Sequence, residues 1–448
     1  MKFWMDVMRH LEPVADDHER LFGAWAEGGV DGLVIGPMAF YSEQPTASLW
    51  PTVPTFDPNP AVYERFGVEP PAAPSEKAPE KRRRLEAALA AAAERGWSVY
   101  LFGASHGQGP GGGHIFASPK SRAAFCARMV DTLERYPMAT GAIMDGPEWG
   151  YEIAPHHMNH RSFFFHDLPE SVGEKCAELG YDYDALVAAK DRLFDRLHGL
   201  TPRDVGLHAP GGLVGAFRLL GADPDLMAWF RFRVEAMTDF YRKVRRDIDG
   251  AVSRPVKLGL GPRSACFAPL CGYDLGELAG VIDVLLPKHY IWHRGFDGMY
   301  GTVCRYVETL TDWNPGLSDG DALAVVRALF GLELPEVKDR RDFDRGFPQA
   351  LFGQVVTQET RRALAVVEDP ERVVPWVDAG RKPHDGDPVS ATDLRRLLLA
   401  AQEAGLKRFL YHHHENMTAG EWAVMSEVCG AAWDPMRSDY VPPDRPVL

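Results

Sequence analysis

Glu80–Gly103 reads EKRRRLEAALAAAAERGWSVYLFG, and two periodicities meet inside it. Over Glu80–Gly96, alanine and leucine recur at helical spacing with charges on the opposite side, and Gly96 closes the pattern. From Ser98 to Gly103 the spacing collapses to a short, unbroken apolar run. That is the pattern of a strand buried on both faces, as parallel strands are. A helix feeding directly into such a strand is half of a βα repeat, and parallel sheets are built from those repeats.

The same alternation extends in both directions. Upstream lie Lys2–Val7 (KFWMDV), a helical pattern over Asp16–Gly28, and Val30–Gly36 (VDGLVIG). Downstream come a helix over Lys120–Tyr136, then Ala139–Asp145 (ATGAIMD), Val256–Gly261 (VKLGLG) and Val281–Tyr290 (VIDVLLPKHY). Arg372–Asp378 (RVVPWVD), a helix over Ala391–Gly405, Arg408–His413 (RFLYHH) and a helix over Ala419–Val428 complete the series. The pattern predicts an α/β protein of the (β/α)8 TIM-barrel class. A doubly wound open sheet carries a glycine-rich turn after its first strand, and MDVMRHLEP has no glycine there.

Three segments are too long for plain βα loops: 37–79, 149–250 with a helix over Pro224–Asp247, and 292–369 with charged, poorly periodic sequence around VKDRRDFDRGFP. Each follows a strand, which places it on the C-terminal face, where barrel loops build sites. The expected organisation is one barrel over 1–433 and an extended surface tail over 434–448.

The chain has 448 residues, 45% of them hydrophobic, and a formal charge of −14. That balance supports a sizeable core and argues against nucleic acid or a membrane surface as partner, since both attract basic patches. The six cysteines form no CxxC pair and read as reduced, inert thiols. No secretory h-region or bilayer-length apolar run is visible, so a cytoplasmic location is expected.

The strand ends are polar, which is costly in a buried position unless the groups are paired or used. After the fourth strand stands Asp145-Gly146-Pro147-Glu148-Trp149, two carboxylates beside an indole. Glycoside hydrolysis needs two carboxylates, and a sugar ring stacks well on an aromatic face. The seventh strand ends in Trp376-Val377-Asp378, whose alternation puts Trp376 and Asp378 on one side. The eighth ends in Tyr411-His412-His413-His414-Glu415. Alternation there pairs His412 with His414, and His413 with Tyr411 and Glu415, so the three imidazoles cannot share one metal. Lys288-His289-Tyr290-Ile291-Trp292 ends the sixth strand, His106 follows the third within a glycine-rich loop, and Arg263 follows the fifth. Trp4, Asp6, Arg9 and His10 come from the first. His156, His157, His160 and His166 add to the histidine count, but neither HExxH nor a familiar ligand rhythm is present, so no metal or other cofactor is expected.

In layout the chain resembles the broad group of glycoside-hydrolase-like (β/α)8 proteins, many of them bacterial. Met144-Asp145-Gly146 is similar to the Phe-Asp-Gly-like strand end of the alpha-L-fucosidase family, a resemblance that implies Asp145 as nucleophile. Clan A glycosidases place an acid/base after strand four and a nucleophile on strand seven. Glu148 and Asp378 fall near those positions, with Pro147 where that group has Asn and Asp378 where it has Glu.

These readings converge on a glycosidase with Asp145, Glu148 and Asp378 as catalytic carboxylates. Glu148 is expected to protonate the leaving oxygen. Trp4, Asp6, His106, Trp149, Arg263, Lys288, His289, Tyr290, Trp376, His412, His413 and Glu415 are expected to bind the sugar, with Trp292 as a further platform. Arg9, Arg263 and Lys288 suit an acidic or sulfated sugar. Two alternatives share the fold: a metal-dependent hydrolase or lyase using the rim histidines, and a carbohydrate-binding barrel without turnover.

Overall fold

The computed structural model describes residues 1–8, 11–36, 57–71, 79–104, 114–154, 164–166, 168–381, 384 and 386–443. Eight strands lie at the places the alternation predicts: β1 Lys2–Asp6, β2 Val30–Ile35, β3 Ser98–Ala104, β4 Gly141–Asp145, β5 Lys257–Leu260, β6 Val284–Leu285, β7 Trp376–Asp378 and β8 Arg408–His412. All pairs are parallel, in the order β6-β5-β4-β3-β2-β1-β8-β7. Parallel bridges Leu285–Val373 and Lys288–Trp376 join the two ends of that order into a barrel.

The junction explains why two predicted strands contract. Pro287 and Pro375 lack an N–H, so the ladder there is interrupted. Their carbonyls still accept, from Trp376 N at 2.9 Å and Leu410 N at 2.8 Å, and Val374 N and His289 N each donate across the seam at 2.8 Å. Closure survives while regular strand is reduced to its ends.

Helices layer the outside, among them Pro79–Glu94, Pro119–Arg135, Pro224–Asp249, Ala391–Glu403 and Ala419–Cys429. The predicted helix Asp16–Gly28 is instead two, Leu11–Asp16 and His18–Gly28, broken at Asp17. A larger correction concerns 292–369, which contains helices Met299–Trp313 and Asp319–Phe330 and a helical run through Leu351–Leu364. Each buries apolar residues against the core, while Asp312, Arg327, Arg361 and Arg362 are exposed. Two of the inward polar residues are paired there: Arg305 bonds Glu152, and Thr360 bonds His289. The tail is not merely laid on the surface: Tyr440 is buried against Trp25 and Trp422. Among the described residues no helix is long and apolar enough to cross a membrane.

Candidate active site

The C-terminal ends of the strands enclose a polar cluster on an apolar barrel. β1 supplies Asp6, β4 Asp145, β7 Asp378 and β8 His412. The following loops add Glu148, Arg263, Lys288, Asp297, His384 and His413, and apart from Asp145 and Glu148 every one of these is at least nine-tenths buried.

On one side, Lys288 Nζ lies 3.0 Å from Asp145 Oδ1. Gly261, just past β5, makes room for this: a Cβ there would stand 3.2 Å from Asp145 Oδ1 and 3.3 Å from Trp376 Nε1. Arg263 spans two carboxylates, donating through Nε to Glu148 at 2.8 and 2.9 Å and placing its other arm 2.6 Å from Asp297. Tyr273 donates to Glu148 at 3.3 Å. Burial pushes the Glu148 carboxyl above the usual range despite Arg263 and Lys288, and the charges of Asp297 and Asp145 add to the rise. Burial also opposes ionisation of Asp297, but there Arg263 and Lys288 win and hold it well below the usual range. One guanidinium thus sits between two carboxyls of opposite tendency.

The turn carrying Glu148 is fixed from behind by the helix Pro224–Asp249. Tyr241 donates to the Pro147 carbonyl at 2.9 Å, and Trp149 Nε1 donates to the Arg233 carbonyl at 2.8 Å. Trp149 is fully buried, stacked on His114 and packed against Phe116 and Phe232. The expectation that it stacks on sugar is therefore corrected: it anchors the acidic turn.

On the opposite side, Asp6 Oδ1 accepts from Met8 N at 2.8 Å, while Oδ2 meets His412 Nδ1 and lies 3.1 Å from His413 Nδ1. Asp378 repeats the device: Oδ1 accepts from Gly380 N at 2.7 Å, and Oδ2 lies 3.2 Å from His384 Nδ1 and 4.0 Å from His412 Nε2. Tyr290 occupies the space between the two sides, its ring 5.1 Å from His384 and 6.3 Å from His412. Burial, reinforced by Asp378, Asp145 and Asp297, raises its phenol well above the ordinary value.

Several expected contacts fall elsewhere. His414 leaves the barrel to meet Trp25 and the Tyr440 hydroxyl, so the alternation read for the histidines fails, and His412 and His413 both face Asp6. The His412–His413 peptide is cis. Tyr411 also points outward, donating to Glu421 at 3.0 Å. His289 faces the helical layer, 2.9 Å from the Thr360 hydroxyl, where burial lowers its pKa to about 4. Trp4 lies inside the barrel, stacked on Tyr100 with the Arg408 guanidinium 5.9 Å from its ring, well below the mouth. Trp376 and Trp292 are also fully enclosed, the first beneath His412 and the second against Tyr290 and Gly380. Packing against the core, rather than exposure to a ligand, consumes these indoles. Glu415 is half-buried beyond β8, and His166 is exposed. Arg9, His10, His106, His156, His157 and His160 lie outside the described residues.

Asp297 and His384 were not anticipated. Asp297 sits in Gly295-Phe296-Asp297-Gly298, an aromatic and glycine turn soon after β6 of the kind already noted after β4. His384 lies in a loop whose return to the mouth no local pattern announces.

No protein-family model and no curated protein matches the sequence. Among solved structures, the glycoside hydrolase domain of PgaB (BpsB) from Bordetella bronchiseptica is similar over 96% of this chain and 99% of that one, with 12% identity and a TM-score of 0.50. A GH18 chitinase from Pseudoalteromonas aurantia aligns over 94% and 97%, with 9% identity and a TM-score of 0.43. The first likeness shows that the chain has the fold of a glycoside-hydrolase barrel.

Proposed function

We propose that the protein hydrolyses a glycosidic bond, with Glu148 as general acid and Asp145 as the charged partner that attacks or activates water at the anomeric carbon. The observation that carries this reading is access. Among the mouth carboxylates, Glu148 and Asp145 keep 14% and 12% of their side chains exposed, against 0–3% for Asp6, Asp297 and Asp378. Their environments also differ in the sense the chemistry needs. Burial favours the protonated form of Glu148, while Asp145 faces the Lys288 ammonium. The fold shared with a domain named as a glycoside hydrolase supports the same class of reaction. Arg263 and Lys288 are buried behind these carboxylates and paired with them, so they act on the charge of Glu148 and Asp145.

The test is turnover of a panel of neutral and acidic oligosaccharides and alkyl glycosides by the wild type and by Glu148→Gln. Loss of the acid is expected to cost about 10²–10⁴-fold in kcat on unactivated substrates. Sugar binding and thermal stability should be nearly unchanged. An equally active Glu148→Gln would remove Glu148 from the acid role, and saturable sugar binding without turnover across the panel would make the barrel a binding protein.

A further inference from the structure

The histidine side of the mouth takes no part in that acid–base reading, yet it is the more densely built. Asp378 and His384 are each only 4% exposed. Asp378 Oδ2 and His384 Nδ1 face each other at 3.2 Å, but neither atom makes a hydrogen bond among the described residues. A carboxylate oxygen and an imidazole nitrogen buried this close are costly unless a proton or a metal ion lies between them. A third donor is aimed at the same point: His412 presents Nε2 4.0 Å from Asp378 Oδ2. One donor atom from each of Asp378, His384 and His412 lies within 4.8 Å of the other two.

Two features orient the set. Asp378 is locked by Gly380 N on Oδ1, which leaves Oδ2 for the cluster. Asp6 holds His412 through Nδ1, so that Nε2 is the nitrogen turned toward Asp378. A carboxylate on the far nitrogen of a ligating imidazole is the usual support for a metal-bound histidine, since it fixes the tautomer and raises basicity. Bonds of ~2.1 Å in a tetrahedral site put neighbouring donors ~3.4 Å apart. The separations of 3.2 and 4.0 Å from Asp378 Oδ2 bracket that spacing.

We infer that Asp378, His384 and His412 bind one divalent transition-metal ion of the zinc class, with Asp6 as the residue that positions His412. Two imidazoles and one carboxylate suit zinc rather than calcium or magnesium, which prefer all-oxygen shells. Three protein donors leave a coordination position for water or a ligand oxygen. The site does not depend on the glycosidase reading, because it is defined by binding and not by turnover.

The full-length protein, stripped with a chelator and dialysed, would be titrated with Zn²⁺ and Co²⁺ by calorimetry and visible absorption. One ion per chain is expected, with Co²⁺ giving the absorption of a low-coordinate site. His384→Ala and Asp378→Asn should each abolish stoichiometric binding. Asp6→Asn should weaken it about 10–100-fold, and His289→Ala, altered outside the barrel wall, should bind as the wild type does. Near-ultraviolet dichroism of each variant separates loss of the site from loss of the fold. Absence of stoichiometric binding in the wild type, or binding that survives intact in folded His384→Ala and Asp378→Asn, would overturn the assignment.

Discussion

At the scale of single residues, the pairing of Glu148 with Asp297 through Arg263 determines how the site responds to pH. A general acid works only while protonated, so kcat/KM should fall as pH rises through the Glu148 pKa. Burial is the main cause that lifts this pKa, and the negative charge of Asp297 adds to it. Arg263 and Lys288 pull the other way. Replacing Asp297 with Asn removes one raising influence and gives Arg263 wholly to Glu148. The alkaline fall of the Asp297→Asn profile should therefore begin at lower pH than in the wild type. A profile that is unmoved, or moved upward, would show that the two carboxyls do not communicate through Arg263. This relation was only half legible in the sequence. Asp145, Glu148, Arg263 and Lys288 stood out because polar groups at the ends of apolar runs are conspicuous. Asp297 and His384 did not, because they reach the mouth from loops folded back over it, and residue spacing carries no record of such a return.

At the scale of elements, the loop after β4 is held by the helix Pro224–Asp249. An exposed indole and an enclosed one read alike in sequence, which is why spacing alone offers Trp149, Trp4 and Trp376 as sugar platforms although each is buried. Their burial makes opposite predictions for mutation. As an anchor, Trp149→Ala should cost about 3–5 kcal/mol in urea-unfolding stability and lower kcat by displacing Glu148. As a sugar platform it would raise KM and leave stability near the wild-type value. The strands themselves were plain in the sequence because unbroken apolar runs have few other uses. β6 and β7 shrank where prolines interrupt the ladder, and the charged run over 337–348 that obscures the region lies between α-helices rather than within one.

For the whole molecule, barrel closure brings together side chains as far apart in the chain as Asp6 and His412. All six cysteines are free thiols, buried beneath the helices and loops around the barrel. Burial raises the Cys176 thiol to about 11, and the other five are likewise pushed upward. A thiol reagent at neutral pH should leave the native protein unmodified over minutes and label six sites per chain in denaturant. Rapid labelling without denaturant would indicate that the helical layer opens readily in the native state.

The convergence of Asp145 and Glu148 at one opening is best tested by a crystal structure of Glu148→Gln with the glycoside that the wild type turns over fastest. The glycosidic oxygen should lie within hydrogen-bond reach of the residue 148 side chain, with the Asp145 carboxylate beside the anomeric carbon and Lys288 on its far oxygen. A sugar seated away from both residues, with its scissile bond against other groups, would contradict the account.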